Sequence, residues 1–164
     1  MKKIAVIGSG SWGVALAVHM AKLGHEIKIW SFSKEEADLI NNERKCKFLP
    51  DVILPSNIEC TQNFEECVKD SEYIFHVTPS KVVRNTVKQY KNFMKNQPVI
   101  MCSKGFETET LNTLVEILEE EIPNNSIAVF SGPSHAEEVS RDIPTSCVVG
   151  AKSKKSALLI QDIF

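Results

Sequence analysis

The chain has 164 residues, a formal net charge of −2 and five cysteines. That balance gives no basic field or arm for nucleic acid, no apolar run approaches the length of a membrane span, and the N-terminus lacks the apolar core of a secretory signal. No Cys-x-x-Cys pair occurs and the four histidines show no ligand spacing, so free buried thiols in a reducing cytoplasm are expected rather than disulfides or a metal site.

The length suits one domain, residues 1–164. Residues 2–7 are a short apolar run, followed at once by Gly8-Ser9-Gly10-Ser11-Trp12-Gly13. Val14, Ala17, Val18 and Ala21 then fall at i, i+3, i+4 and i+7, one face of a helix that stops at Gly24. Residues 26–30 read as a second strand, and residues 34–44 as a charged helix with Ala37 and Ile40 inward. Pro50 and Pro55 make residues 45–57 an irregular loop. A short strand at 58–60 leads to a helix with Phe64, Cys67 and Val68 on one side, and 73–77 is the fourth strand. Pro79 suits the first turn of a helix reaching residue 95, with Val82, Val83, Val87 and Tyr90 as its buried stripe. Strand 99–102 is followed by Ser103-Lys104-Gly105 and a helix over 110–121. Strand 127–130 runs into Ser131-Gly132-Pro133-Ser134 and another helix, and 146–149 is a further strand. Residues 153–164 begin an amphipathic helix with Leu158, Leu159, Ile163 and Phe164 apolar. Nothing in the sequence covers that apolar end, which suggests a truncated chain or a missing partner domain and could drive a homodimer or aggregation.

Strands alternating with helices predict an α/β fold of Rossmann type: a doubly wound, mostly parallel sheet with helices on both faces. Strand, glycine turn and helix in that order form a dinucleotide-binding fingerprint, for NAD or NADP. Gly8 permits the tight turn, Gly10 lets the backbone approach a pyrophosphate, and Gly13 lets the helix sit against the strand. The helix start offers unpaired N–H groups and a positive dipole end to the phosphates.

In such sheets ligands bind beyond the carboxyl ends of the strands. The second strand ends in Trp30-Ser31-Phe32-Ser33-Lys34, with no carboxylate where a ribose 2′-hydroxyl would be held. NADP therefore stays open: Ser33 and Lys34 could donate to a 2′-phosphate, while Lys34 could equally be a solvated helix residue. Phe32 could stack on adenine. Thr78-Pro79-Ser80 reads as a simple helix start and His76 as a satisfied core residue. Lys104, at the end of the fifth strand, puts a positive charge where an anionic substrate or a polarised carbonyl would sit. The Gly132-Pro133-Ser134-His135-Ala136 turn again offers helix N–H groups to an anion, and Gly132 could let a substrate approach the backbone.

Gly8-Ser9-Gly10-Ser11-Trp12-Gly13 with Ala15-Leu16-Ala17, Phe48-Leu49-Pro50, Val77-Thr78-Pro79-Ser80, Ser103-Lys104-Gly105-Phe106-Glu107 and Ser131-Gly132-Pro133-Ser134-His135-Ala136 run in order along the chain. Together they resemble the bacterial-type NAD(P)-dependent glycerol-3-phosphate dehydrogenases. The resemblance implies reversible hydride transfer between a nicotinamide cofactor and dihydroxyacetone phosphate, giving sn-glycerol 3-phosphate for phospholipid synthesis in the cytoplasm. It implies cofactor contacts from Ser11, Trp12, Phe32 and Ala136. Lys104 is shared by cofactor and substrate, and Gly132 and Ser134 touch the substrate. It further implies a second, all-helical domain beyond Phe164 that carries the catalytic lysine and grips the substrate phosphate. No catalytic acid or base is then expected among these residues. Phe32-Ser33 stands where many relatives have Arg or His, which leaves NAD against NADP open. Two other readings remain: a related hydroxy-acid dehydrogenase domain, and a dinucleotide-sensing module without chemistry. Lys104 and the Gly132–Ser134 turn favour an enzyme.

Overall fold

A computed structural model describes residues Met1–Phe164. At its centre is β1 (Lys3–Ile7), in which Ile4, Ala5, Val6 and Ile7 are all buried. Ile4 and Val6 enter the core on one face of the sheet, and Ala5 and Ile7 the core on the other. Successive side chains point to opposite faces of a strand, so a continuous apolar run marks a strand covered on both sides.

Around it lie β2 (Glu26–Trp30), β3 (Ile58–Thr61), β4 (Tyr73–His76), β5 (Val99–Met101), β6 (Ile127–Ser131) and β7 (Val148–Ala151). The order across the sheet is β3-β2-β1-β4-β5-β6-β7. The first six strands are parallel, while β7 runs antiparallel to β6. The chain thus builds outward from β1 to β3, crosses back, and builds outward again from β4. The strand order reverses between β1 and β4, where neighbouring connections leave on opposite faces and open a crevice. This is the doubly wound sheet that the alternating pattern predicts.

The helices are α1 (Ser11–Lys22), α2 (Lys34–Asp38), α3 (Phe64–Val68), α4 (Val83–Tyr90), α5 (Leu114–Glu121), α6 (Ala136–Ser140) and α7 (Lys154–Gln161). Several depart from the pattern. The helix predicted over 34–44 is regular only to Asp38; its winding then widens through Leu39–Glu43, and Arg44 ends it with φ of 57°. The helix predicted to reach 95 is cut into a 3-10 turn (Ser80–Val82), α4, and a second 3-10 turn (Lys91–Phe93), and Val82 is only half-buried. The helix expected from 110 begins at Leu114. There Thr113 accepts from the Glu116 N–H while the Glu116 carboxylate accepts from the Thr113 N–H, a reciprocal cap that sets the start. The last strand begins two residues later than expected.

The apolar C-terminal end is largely covered by this chain's own sheet. Ile160 and Ile163 are buried, and Phe164 stacks on Phe130 at 4.4 Å with its edge toward Phe75 at 5.8 Å. Leu158 and Leu159 stay about half exposed. The cysteines are free, and four of the five are buried. Burial disfavours the thiolate and pushes the Cys60 thiol up to about 12.

Candidate functional site

A cleft of about 790 Å³ opens over the carboxyl ends of the strands, where the order reverses. Its floor is the glycine loop. Gly8 has φ of 125°, a left-handed conformation in which any β carbon is strained, and one placed there would stand 2.8 Å from the Val77 carbonyl oxygen. A β carbon on Gly13 would overlap the Gly8 carbonyl oxygen, so α1 lies directly on the turn that leads into it. Around Gly10 the situation is reversed. A β carbon would meet nothing within 4 Å, because Gly10 faces the cleft.

No side chain caps α1, and its first intrahelical bond runs from the Val14 N–H to the Gly10 carbonyl. The amides of Ser11, Trp12 and Gly13 thus precede the hydrogen-bonded ladder at the positive end of the helix dipole. Open space at Gly10 beside uncapped amides is the cradle a diphosphate needs, so the residues present fit a dinucleotide.

The other wall comes from the ends of β5 and β6. Lys104 Nζ donates to the carbonyls of Ser134 (3.3 Å) and Gly132 (3.4 Å) and stands 5.9 Å from the centre of the Trp12 ring. The indole is itself braced, with Nε1 donating to the Cys102 carbonyl at 3.2 Å. Gly105, at φ of 116°, packs its backbone on Ser80, 3.2 Å from where a β carbon would sit. The rest of the loop is clamped by Arg84, whose guanidinium grips both oxygens of Glu107 at 2.7 Å. That pairing holds the Glu107 carboxyl down at about 2. Lys104 therefore projects from a fixed turn, not a free loop.

The far end of the cleft lies beyond β2. Phe32 is 87% exposed on its wall, and Phe48 reaches in from the loop after α2. Here the structure corrects one expectation. A carboxylate does stand beside the residue that follows β2, contributed by Glu36 on α2. Its Oε2 accepts from the hydroxyls of Ser9 and, at 3.2 Å, Ser31. Lys34 pairs instead with Asp38 at 2.6 Å, and Ser33 caps α2 by accepting from the Glu36 N–H.

Of the predicted site residues, Gly8, Gly10, Ser11, Trp12, Gly13, Phe32, Lys104, Ser134 and Ala136 line this one cleft. Ser33 lies beside it. Gly132 enters through its carbonyl, and its α carbon faces inward, where a β carbon would be 2.6 Å from the Ser146 carbonyl oxygen. Its lack of a side chain thus answers to packing against the segment before β7. The helix after Ser134, α6, is a single short turn-and-a-half of five residues. Glu36, Phe48 and Thr78 also line the cleft; Phe48 and Thr78 lie in segments that carry the resemblance but were given no part in the site, and Glu36 was not singled out at all. His76 is a core residue, as its place in the strand predicts. It is fully buried, with Nδ1 3.0 Å from the Tyr90 hydroxyl and Nε2 2.8 Å from the Thr78 hydroxyl, and burial pushes its pKa down to about 3.

With this geometry in hand, comparison with known proteins is decisive on family. A family model described as the NAD-dependent glycerol-3-phosphate dehydrogenase N-terminus matches residues 3–157. The chain belongs to this family. It is 47% identical to a glycerol-3-phosphate dehydrogenase [NAD(P)+] of Fusobacterium nucleatum, over 100% of this chain and 50% of that protein. A Clostridium acetobutylicum relative of the same description is 40% identical over the same shares. A crystal structure of glycerol-3-phosphate dehydrogenase from Coxiella burnetii superposes with a TM-score of 0.93 over 99% of this chain and 50% of that one, at 24% identity, and shares the Rossmann-type fold. The chain spans about half the length of the curated relatives it matches.

Proposed function

We propose that this chain is the cofactor-binding part of an sn-glycerol-3-phosphate dehydrogenase that interconverts dihydroxyacetone phosphate and sn-glycerol 3-phosphate, the precursor of phospholipids. The observation that carries this is one cleft with a phosphate cradle at Gly10–Gly13 and a fixed ammonium at Lys104 on its opposite wall. Bound NAD(P)H supplies the hydride, and NAD(P)+ takes it back. The protein's part is to hold the dinucleotide by Ser11, Trp12 and Ala136, with Phe32 against the adenine. Lys104 orients the substrate carbonyl and stabilises the negative charge that develops on its oxygen. Gly132 and Ser134 border the same place and position the substrate. The acid–base lysine and the grip on the substrate phosphate belong, in this reading, to a helical substrate domain outside these 164 residues, while residues 1–164 form one cofactor domain. The free, buried cysteines favour a cytoplasmic setting, and half-exposed Leu158 and Leu159 favour a homodimer.

Titration of the folded chain with NADH, followed by nicotinamide fluorescence and calorimetry, is expected to show saturable one-to-one binding. Oxidation of NADH with dihydroxyacetone phosphate by the same chain is expected to be negligible. Absence of binding at millimolar NADH refutes the cofactor assignment. Turnover matching that of a full-length relative refutes the placing of the acid–base group elsewhere.

A further inference from the structure

Glu36 occupies a helix position with an ordinary task that it does not perform. Ser33-Lys34-Glu35-Glu36 has the capping-box spacing, in which the fourth residue's carboxylate turns back to the first residue's N–H. In this chain the Ser33 N–H is already taken by Ser31 Oγ at 3.1 Å. The Glu36 side chain leaves the cap and reaches across to the glycine loop. Oε2 accepts from Ser9, the middle residue of Gly8-Ser9-Gly10, and from Ser31, directly after β2. Both hydroxyls are buried and stand 2.8 Å from each other. Oε1 accepts no hydrogen bond from the protein, and the residue lines the cleft beside Phe32. A carboxylate with one oxygen anchored by two buried hydroxyls and the other free is held for an incoming donor.

Charge around it points the same way. Lys104 is the only lysine or arginine lining the cleft, and it stands on the opposite wall. Lys34, the nearest in sequence, is exposed and tied to Asp38. We propose that Glu36, anchored by Ser9 and Ser31, accepts a hydrogen bond from the adenosine ribose 2′-hydroxyl and excludes a 2′-phosphate, making this chain selective for NAD(H) over NADP(H). The inference rests on the dinucleotide reading of the cleft. A hydroxyl gives the free oxygen a charge-assisted hydrogen bond, whereas a phosphate monoester brings a dianion to a carboxylate with no cation beside it. A neutral amide in its place would remove the repulsion.

The test compares dissociation constants for NADH and NADPH, by nicotinamide fluorescence, for the unmodified chain and Glu36→Gln. The unmodified chain is expected to bind NADH at least about tenfold more tightly, the scale of one charge-assisted hydrogen bond. In Glu36→Gln NADPH is expected to gain and NADH to lose affinity, so that the ratio falls several-fold. Equal affinities in the unmodified chain, or a ratio that Glu36→Gln leaves unchanged, overturn the proposal while the dinucleotide site stands. Should neither nucleotide bind, the site reading fails and this inference with it. If Glu36→Gln does not fold, competition against NADH by 5′-AMP and by 2′,5′-ADP on the unmodified chain decides instead. Weaker competition by 2′,5′-ADP supports the role of Glu36, and equal or stronger competition refutes it.

Discussion

Gly10 and Gly13 sit three residues apart in one motif and answer to different constraints. Gly13 has the Gly8 carbonyl where a β carbon would go, so Gly13→Ala must push α1 off the loop. Overpacking of that kind costs about 1–3 kcal/mol, and at this chain length each kcal/mol lowers Tm by about 2–4 °C. Gly10 faces open space, with extended backbone that alanine also adopts (φ −67°, ψ 172°). Gly10→Ala is therefore expected to change stability by less than about 1 kcal/mol. Its methyl group would occupy the room left for a diphosphate, and NADH affinity should fall about tenfold or more, a loss of 1.4 kcal/mol per decade. Paired thermal melts and NADH titrations separate the two, and a Gly10→Ala chain that binds normally removes the diphosphate from that place. The packing role of Gly13 was legible in the sequence, and so was the place of Gly10 in the turn, because a strand that passes at once into a helix needs bare backbone at this spacing. Glu36 was not. Its residue type is ordinary for a first helical turn, and only the three-dimensional approach of α2 to Ser9 and Ser31 reveals the carboxylate.

Among the elements, the β4–α4 contact carries the clearest pH signature. His76 on β4 and Tyr90 on α4 are both fully buried and hydrogen-bonded to each other, and the Thr78 hydroxyl takes the second ring nitrogen. Burial holds His76 neutral down to about 3, against an ordinary value of 6.5. Above pH 6.5 the imidazole is neutral in both folded and unfolded chains and contributes no pH dependence. Below it the unfolded chain takes up a proton that the folded chain refuses, so stability is lost as pH falls from 6.5 toward 3, by about 1.4 kcal/mol per pH unit. Chemical denaturation at pH 7, 6, 5 and 4 should show that slope. His76→Gln, which retains a donor and an acceptor, should flatten it even if it lowers stability at pH 7; an equally steep decline in the variant would assign the acid limb to other groups. The strand bearing His76 was readable from its apolar run. The helix opposite was readable in its buried stripe of Val83, Val87 and Tyr90 but not in its extent, which depends on 3-10 turns at both ends. In the same way, the start of α5 depends on the Thr113–Glu116 cap and on the Arg84–Glu107 clamp over the preceding loop, contacts between segments that periodicity does not record.

On the scale of the whole molecule, the cleft is lined by residues from both wings of the sheet. Gly8–Gly13 and Glu36 face it from the β1–β3 wing, and Thr78, Lys104, Ser134 and Ala136 from the β4–β7 wing. The alternation of strands and helices made this architecture predictable, and with it a crevice beyond the carboxyl ends of the strands; that it opens between β1 and β4 is seen only in the strand order. The sequence could not show that Trp12 would bridge the wings, with its indole on α1 hydrogen-bonded to the carbonyl at the end of β5. A dinucleotide seated between the wings binds only the folded chain. At one hundred times its dissociation constant it should stabilise by about 2.7 kcal/mol. With about 2–4 °C per kcal/mol at this length, Tm should rise by about 5–11 °C. Differential scanning fluorimetry with and without NADH measures this directly, with Gly10→Ala as the control: at the same NADH concentration a tenfold weaker affinity leaves about 1.4 kcal/mol, so its Tm should rise by about half as much or less. Saturating NADH that leaves Tm unmoved would mean that the folded chain does not take up the nucleotide, because any ligand that binds the folded state alone must raise the free energy of unfolding.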